Sequence, residues 1–124
     1  MKKCIENSCA YISLEGGILF FKYKDQVTIG LKQAIEVVAA RMKLQRGIAY
    51  PILCDINGIM EVDRDARKYL AIEGALLSKA IALITDNPVS ERISNMYVKN
   101  YIPNVPVKIC KDQEEGLKFL SFYK

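Results

Sequence analysis

The stretch "YPILCDINGIMEVDRDARKYLA", residues 50–71, decides the architecture of this chain. Its first seven residues form a continuous apolar run with Asp55 near its end, the pattern of a strand buried on both faces. A turn around Gly58 follows. A helix is then expected over residues 63–73, with Asp63 as its cap and Ala66, Tyr69 and Leu70 on its inward stripe. A buried strand that feeds a helix is one half of a crossover connection, and crossovers join parallel strands.

The flanking segments continue the alternation. "KAIALIT", residues 79–85, reads as a second buried strand, and "DNPVSERISNMYVKNY" as a third helix. In that helix Asn87 is the cap, Pro88 suits the first helical position, and Ile93, Met96 and Tyr97 make the apolar face. "VPVKIC", residues 105–110, is the last strand; Asp112 and Glu115 then form a capping box for a final helix that docks through Leu117 and Leu120. Upstream, "CAYISLEGGILFFKYK", residues 9–24, reads as a β-hairpin turning at Gly16-Gly17. Between hairpin and strand, Thr28 is read as the cap of a first helix with Leu31, Ile35, Val38 and Met42 on its inner stripe and Gly47 at its end. The order ββαβαβαβα predicts a single α/β domain over residues 1–124, mostly parallel, with an antiparallel hairpin at its N-terminus.

Composition narrows the function. A chain of 124 residues, 51% hydrophobic and 26% charged, is an ordinary globular domain with one core. It holds no apolar run near the roughly 20 residues a membrane span requires, and "MKKCIENSCAY" lacks the long apolar segment of a signal peptide. A cytoplasmic location is expected. The net charge of +4 is spread along the chain, and Arg64, Arg67 and Lys68 read as a solvated helix face, so nucleic acid is not an expected partner. There is no histidine and no C-x-x-C pair among the four cysteines, so zinc sites of the common Cys/His type lack half their ligands and a Cys–His or Ser–His pair is impossible within the chain. No phosphate-cradling glycine loop occurs either. Neither metal, cofactor nor enzymatic activity is expected.

In open α/β sheets ligands collect where the parallel strands end. That rim carries Asp55 and Asn57, then Thr85 and Asn87, with Ser90 in the following helix and Lys111 after the last strand. The same residue types also cap helices and shape turns. Asp55, Thr85 and Lys111 imitate the trio of a receiver domain, but the first strand ends in Leu14-Glu15-Gly16-Gly17, without the acidic pair that would hold Mg²⁺.

The element order and "ILCDINGI" resemble the STAS superfamily, the SpoIIAA-like fold, whose founding members are bacterial anti-sigma-factor antagonists. Where that family has Asp-Ser-Ser-Gly opening a helix, this chain has Asp63, Arg64, Asp65 and Ala66. The resemblance implies that the phosphorylatable serine is replaced by Asp65, a single charge where a phosphate carries about 1.5 to 2. Pro88, Ser90, Tyr97 and the run Asp112 to Leu120 are also similar to a set of small, uncharacterised bacterial STAS-like proteins.

Two readings follow. The first is a non-enzymatic regulatory or protein-interaction module, docking a protein partner around Asp63 to Arg67 and near Ser90. The second is a carrier of a lipid or other small hydrophobic ligand, with Phe20, Phe21, Tyr69, Met96, Tyr97 and Tyr101 lining a cavity of about 300 Å³ or more. Phe119 and Phe122 lie off the Leu117–Leu120 stripe and offer a contact for a homodimer.

Overall fold

The structure is a computed structural model that describes residues 3–100 and 104–124. In chain order its elements are β1 (Lys3–Glu6), β2 (Ala10–Glu15), β3 (Ile18–Tyr23), β4 (Val27–Ile29), α1 (Leu31–Gln45), β5 (Tyr50–Asp55), β6 (Ile59–Val62), α2 (Arg64–Glu73), β7 (Ser78–Ile84), α3 (Pro88–Asn100), β8 (Val107–Cys110) and α4 (Gln113–Leu120). The six-stranded sheet runs β1-β2-β3-β5-β7-β8. Pairings within β1-β2-β3 are antiparallel and those from β3 to β8 are parallel. The expected α/β architecture is therefore observed, with the hairpin turning at Gly16 and Gly17, both at positive φ.

Side chains on a strand alternate between the faces of the sheet, and the middle strands use both. Ile52 and Cys54 of β5, with Ile81 and Leu83 of β7, face the larger core beneath α1, α2 and α3. Leu53, Ala80, Ala82 and Ile84 face the smaller core, which α4 closes with Leu117 and Leu120. The fit at α4 is close. A Cβ on Gly116 would stand 2.6 Å from Leu53 Cδ1 and 2.9 Å from Ile84 Cδ1.

Three short strands were not legible. β1 adds a mostly exposed edge to the hairpin. β4 and β6 pair with each other as a separate parallel ribbon, and each runs directly into a helix. Thr28, expected to cap α1, instead lies within β4, and Gly30 takes the N-cap position. The first-helix stripe is also corrected. The buried positions are Ala34, Val37, Val38, Arg41 and Gln45, whereas Leu31 and Ile35 are exposed.

The burial of Arg41 and Gln45 has a specific cause. Arg41 donates to Gln45 Oε1 at 2.6 Å, Leu76 O at 2.9 Å, Gly74 O at 2.9 Å and Glu73 O at 3.4 Å. Gln45 Nε2 donates to Leu77 O at 2.8 Å and Ile48 O at 2.9 Å. The guanidinium thus binds the carbonyl end of α2, where the helix dipole is negative. It also steadies a connection in which Leu77 holds a φ of 56°, a left-handed conformation costly for a branched side chain.

Replacing Arg41 with Met leaves several buried oxygens without donors. The expected loss is about 3 kcal/mol or more of unfolding free energy. The exposed change Arg64→Met should stay within about 0.5 kcal/mol. Guanidinium denaturation of the two variants checks the contrast.

Candidate functional site

The ribbon of β4 and β6 sets the starts of α1 and α2 side by side. Asp63 N–H donates to Ile29 O at 3.0 Å, and a Cβ on Gly30 would lie 3.1 Å from Asp63 Oδ2. Asp63 caps α2 as expected, its Oδ1 accepting from Ala66 N–H at 2.8 Å. Ala66 is fully buried against the core. Arg67 turns back to donate to Val62 O at 2.8 Å. Arg64, Asp65, Lys68 and Ile72 all point to solvent, and Ile72 is 71% exposed. Asp65 stands in the first turn, where unpaired N–H groups favour a negative charge.

The strand-end residues are drawn together into a clasp. Asp55 Oδ1 accepts from Asn57 N–H at 2.9 Å. Asn57 Oδ1 accepts from Asp86 N–H at 2.7 Å and from Asn87 Nδ2 at 3.3 Å. The Ser90 hydroxyl lies 2.9 Å from Asn57 Oδ1 and 3.1 Å from Asn87 O, and its one proton serves one of them at a time. Asn87 Oδ1 caps α3 by accepting from Ser90 N–H at 2.9 Å. Thr85 is buried, and its N–H extends the ladder to Cys110 O at 2.9 Å. The polar atoms of this rim therefore bind one another, fastening the turn after β5 to the start of α3.

A cavity of about 130 Å³ lies between the larger face of the sheet and the helices α1, α2 and α3. Phe21 and Tyr97 are on its wall, with Val38, Cys54, Leu70, Ile93 and Ser94 among the other lining residues. Phe20, expected there too, belongs to the opposite core because adjacent residues of a strand face opposite ways. Tyr69 packs into the larger core without reaching the cavity, and Met96 borders a groove on the outer side of α3. Tyr101 lies outside the described residues. The volume is under half of that expected for a carrier.

Burial pushes the Cys54 thiol up to about 12; the neighbouring Asp55 adds to this and Arg41 opposes it. The Tyr23 phenol is likewise raised, mainly by burial. Burial acts in the other direction on Arg41, lowering its pKa from the ordinary value. Among the described residues no group of three or more acidic or cysteine ligands converges on a metal site.

Residues 12–124 match the model of a family described as a domain of unknown function, DUF7793. The chain belongs to that family. This DUF7793 chain has no match among curated proteins. It is similar to the solved structure of an uncharacterised DUF3478-family protein with a SpoIIAA-like fold from Shewanella loihica PV-4, at 15% identity and a TM-score of 0.63, over 97% of this chain and 92% of that one. It is also similar to an anti-sigma factor antagonist from Mycobacterium paratuberculosis, at 11% identity and a TM-score of 0.65, over 98% and 95% of the two chains. At such identities the likeness is one of fold, and the fold of the DUF7793 chain is SpoIIAA-like.

Sequence reasoning did not place Arg41, Cys54 and Ser94 around one space, nor Gln45 beside Arg41. Arg41 and Gln45 carried the only available signal, two polar residues four apart among the apolar positions of a helix. The Phe119 ring packs against Tyr123, 5.2 Å between centroids and tilted by 55°, and of the two phenylalanines offered for a homodimer only Phe122 stays exposed.

Two predictions test these local arguments. Asn57→Ala removes the shared acceptor of the clasp and should cost about 2 kcal/mol in urea unfolding. Stability should also fall with alkaline pH. The folded Cys54 thiol keeps its proton to about 12 while the unfolded one releases it near 9.0, so stability declines across that window by up to about 1.4 kcal/mol per pH unit. Urea titrations from neutral pH upward should show a shallower decline in Cys54→Ala, with the contribution of Tyr23 remaining.

Proposed function

We propose that this DUF7793 chain is a non-enzymatic protein-interaction module that docks a protein partner through the outer face of α2. The carrying observation is the arrangement of that helix. Ala66 is buried and Tyr69 and Leu70 are half-buried beneath it, while Arg64, Asp65, Lys68 and the large apolar side chain of Ile72 stand in solvent. An exposed apolar residue set in a charged helix face suits a centre of contact with a polar rim. The likeness in fold to an anti-sigma factor antagonist supports a regulatory role of this kind.

Within this reading the docking face is not switched by a serine kinase, because the first turn of α2 offers Asp65 in place of a hydroxyl. A carboxylate brings a single negative charge there, where a phosphate would bring about 1.5 to 2. A cytoplasmic location is part of the proposal, supported by the four free cysteines, two of them buried.

Site-specific photo-crosslinking in cells of the source organism tests the reading. A crosslinker at position 65, 68 or 72 should yield the same discrete protein adduct, and one at Lys118 on α4, across the sheet, should not. Equal labelling from both faces, or none from α2, overturns it. Asp65→Lys should weaken the α2 adduct about fivefold or more, as expected where a charge pair worth about 1 kcal/mol is inverted.

A further inference from the structure

The cavity beneath α1, α2 and α3 carries a chemical signature of its own. Its wall is aliphatic and aromatic: Phe21, Val37, Val38, Ile81, Leu83 and Ile93 contribute much of it. Besides the phenols of Tyr23 and Tyr97, which also line it, one aliphatic hydroxyl interrupts it. Ser94 lines the space, is only 1% exposed, and its Oγ has no hydrogen-bond partner among the described residues. A buried hydroxyl without a partner is unfavourable, and so is an empty apolar space whose walls forgo dispersion contacts. One occupant removes both penalties.

We infer that this cavity is a binding site for a compact, uncharged, mainly apolar ring compound that carries one hydroxyl or carbonyl group to pair with Ser94. Size sets the first limit. A dry cavity of about 150 Å³ holds benzene, and this one is about 130 Å³. A ligand of about six or seven heavy atoms is on this scale, whereas an acyl chain is not. Charge sets the second limit. Arg41 and Arg67 reach the wall, but the terminal nitrogens of Arg41 are directed to Gln45 Oε1 and to the carbonyls of Glu73, Gly74 and Leu76, and Arg67 Nη1 donates to Val62 O. An anion entering here would lose its hydration without gaining those donors.

The route in lies between α2 and α3. α2 packs on α1, and α3 packs on β6 and β8. The residues that border the cavity on this side, Arg67 and Leu70 of α2 and Ile93 and Tyr97 of α3, are half-buried rather than sealed. The inference does not depend on the docking proposal, which concerns the opposite face of α2.

Titration of the full chain with phenol, benzene and benzoate, followed by methyl NMR of the valines, leucines and isoleucines, tests it. Phenol should shift Val37, Val38, Leu70 and Ile93 saturably, with a dissociation constant on the order of 1 mM or lower. Benzene should shift the same methyls with about fivefold weaker affinity, the value of one hydrogen bond. Benzoate should leave them unmoved. Ser94→Ala should remove the preference for phenol over benzene while keeping benzene binding, and should raise the melting temperature of the free protein. Absence of saturable shifts with both neutral probes up to about 10 mM overturns the site. Shifts confined to other methyls do the same. Benzoate binding as tight as that of phenol overturns the neutral ligand class.

Discussion

A buried cation held by carbonyl and amide oxygens sets the geometry of the larger core. Arg41 is 3% exposed, and its reach is long in sequence: its acceptors at Glu73, Gly74 and Leu76 lie 32 to 35 residues away. Burying a charge in this way is tolerable only when oxygens arrive in the right places. They arrive because α2 ends beside α1 and presents its last carbonyls inward. Gln45, one turn further along α1, completes the arrangement by holding Leu77 and Ile48. The outcome is that α1, α2 and the entry to β7 are fixed to one another by polar contacts inside an otherwise apolar layer.

That fixed pair of helices explains both candidate sites. The ribbon of β4 and β6 sets the two helix starts against each other at Gly30 and Asp63, while Arg41 joins the end of α2 to α1. A helix held at both ends presents a defined outer face, which a docking surface requires. The inner side is different. The clasp around Asn57 fastens α3 at its start, but α3 rests on β6 and β8 rather than on α2. Space remains between the helices above the sheet, and the cavity occupies it, with the Ser94 hydroxyl unpaired among the described residues. The smaller face leaves no such room, since alanines on β7 and Gly116 on α4 bring helix and sheet together.

The legible parts of this fold were those with strong local causes. Gly16-Gly17 between two apolar arms fixes a hairpin, and Asp63, Asn87 and Asp112 each accept from a backbone N–H of the first turn of the helix they precede. β4 and β6 carried little local signal because three or four residues are too few to show a period, and their pairing joins segments about thirty positions apart. The same limit applies to the cavity. Phe20 and Phe21 look alike in sequence, but the alternation of β3 sends them to opposite cores.

By itself the sequence determined the fold class, the hairpin and the starts of the last three helices, because caps, turns and apolar periods act over a few residues. Only the tertiary structure decided which polar groups go inside. Arg41, Gln45 and Ser90 are the residue types of a protein surface, yet each is buried where distant segments bring it partners. Ser94 is buried among apolar neighbours without one among the described residues. The physical reason is that the cost of burying a polar group depends on the oxygens and N–H groups that reach it, and those belong to other parts of the chain.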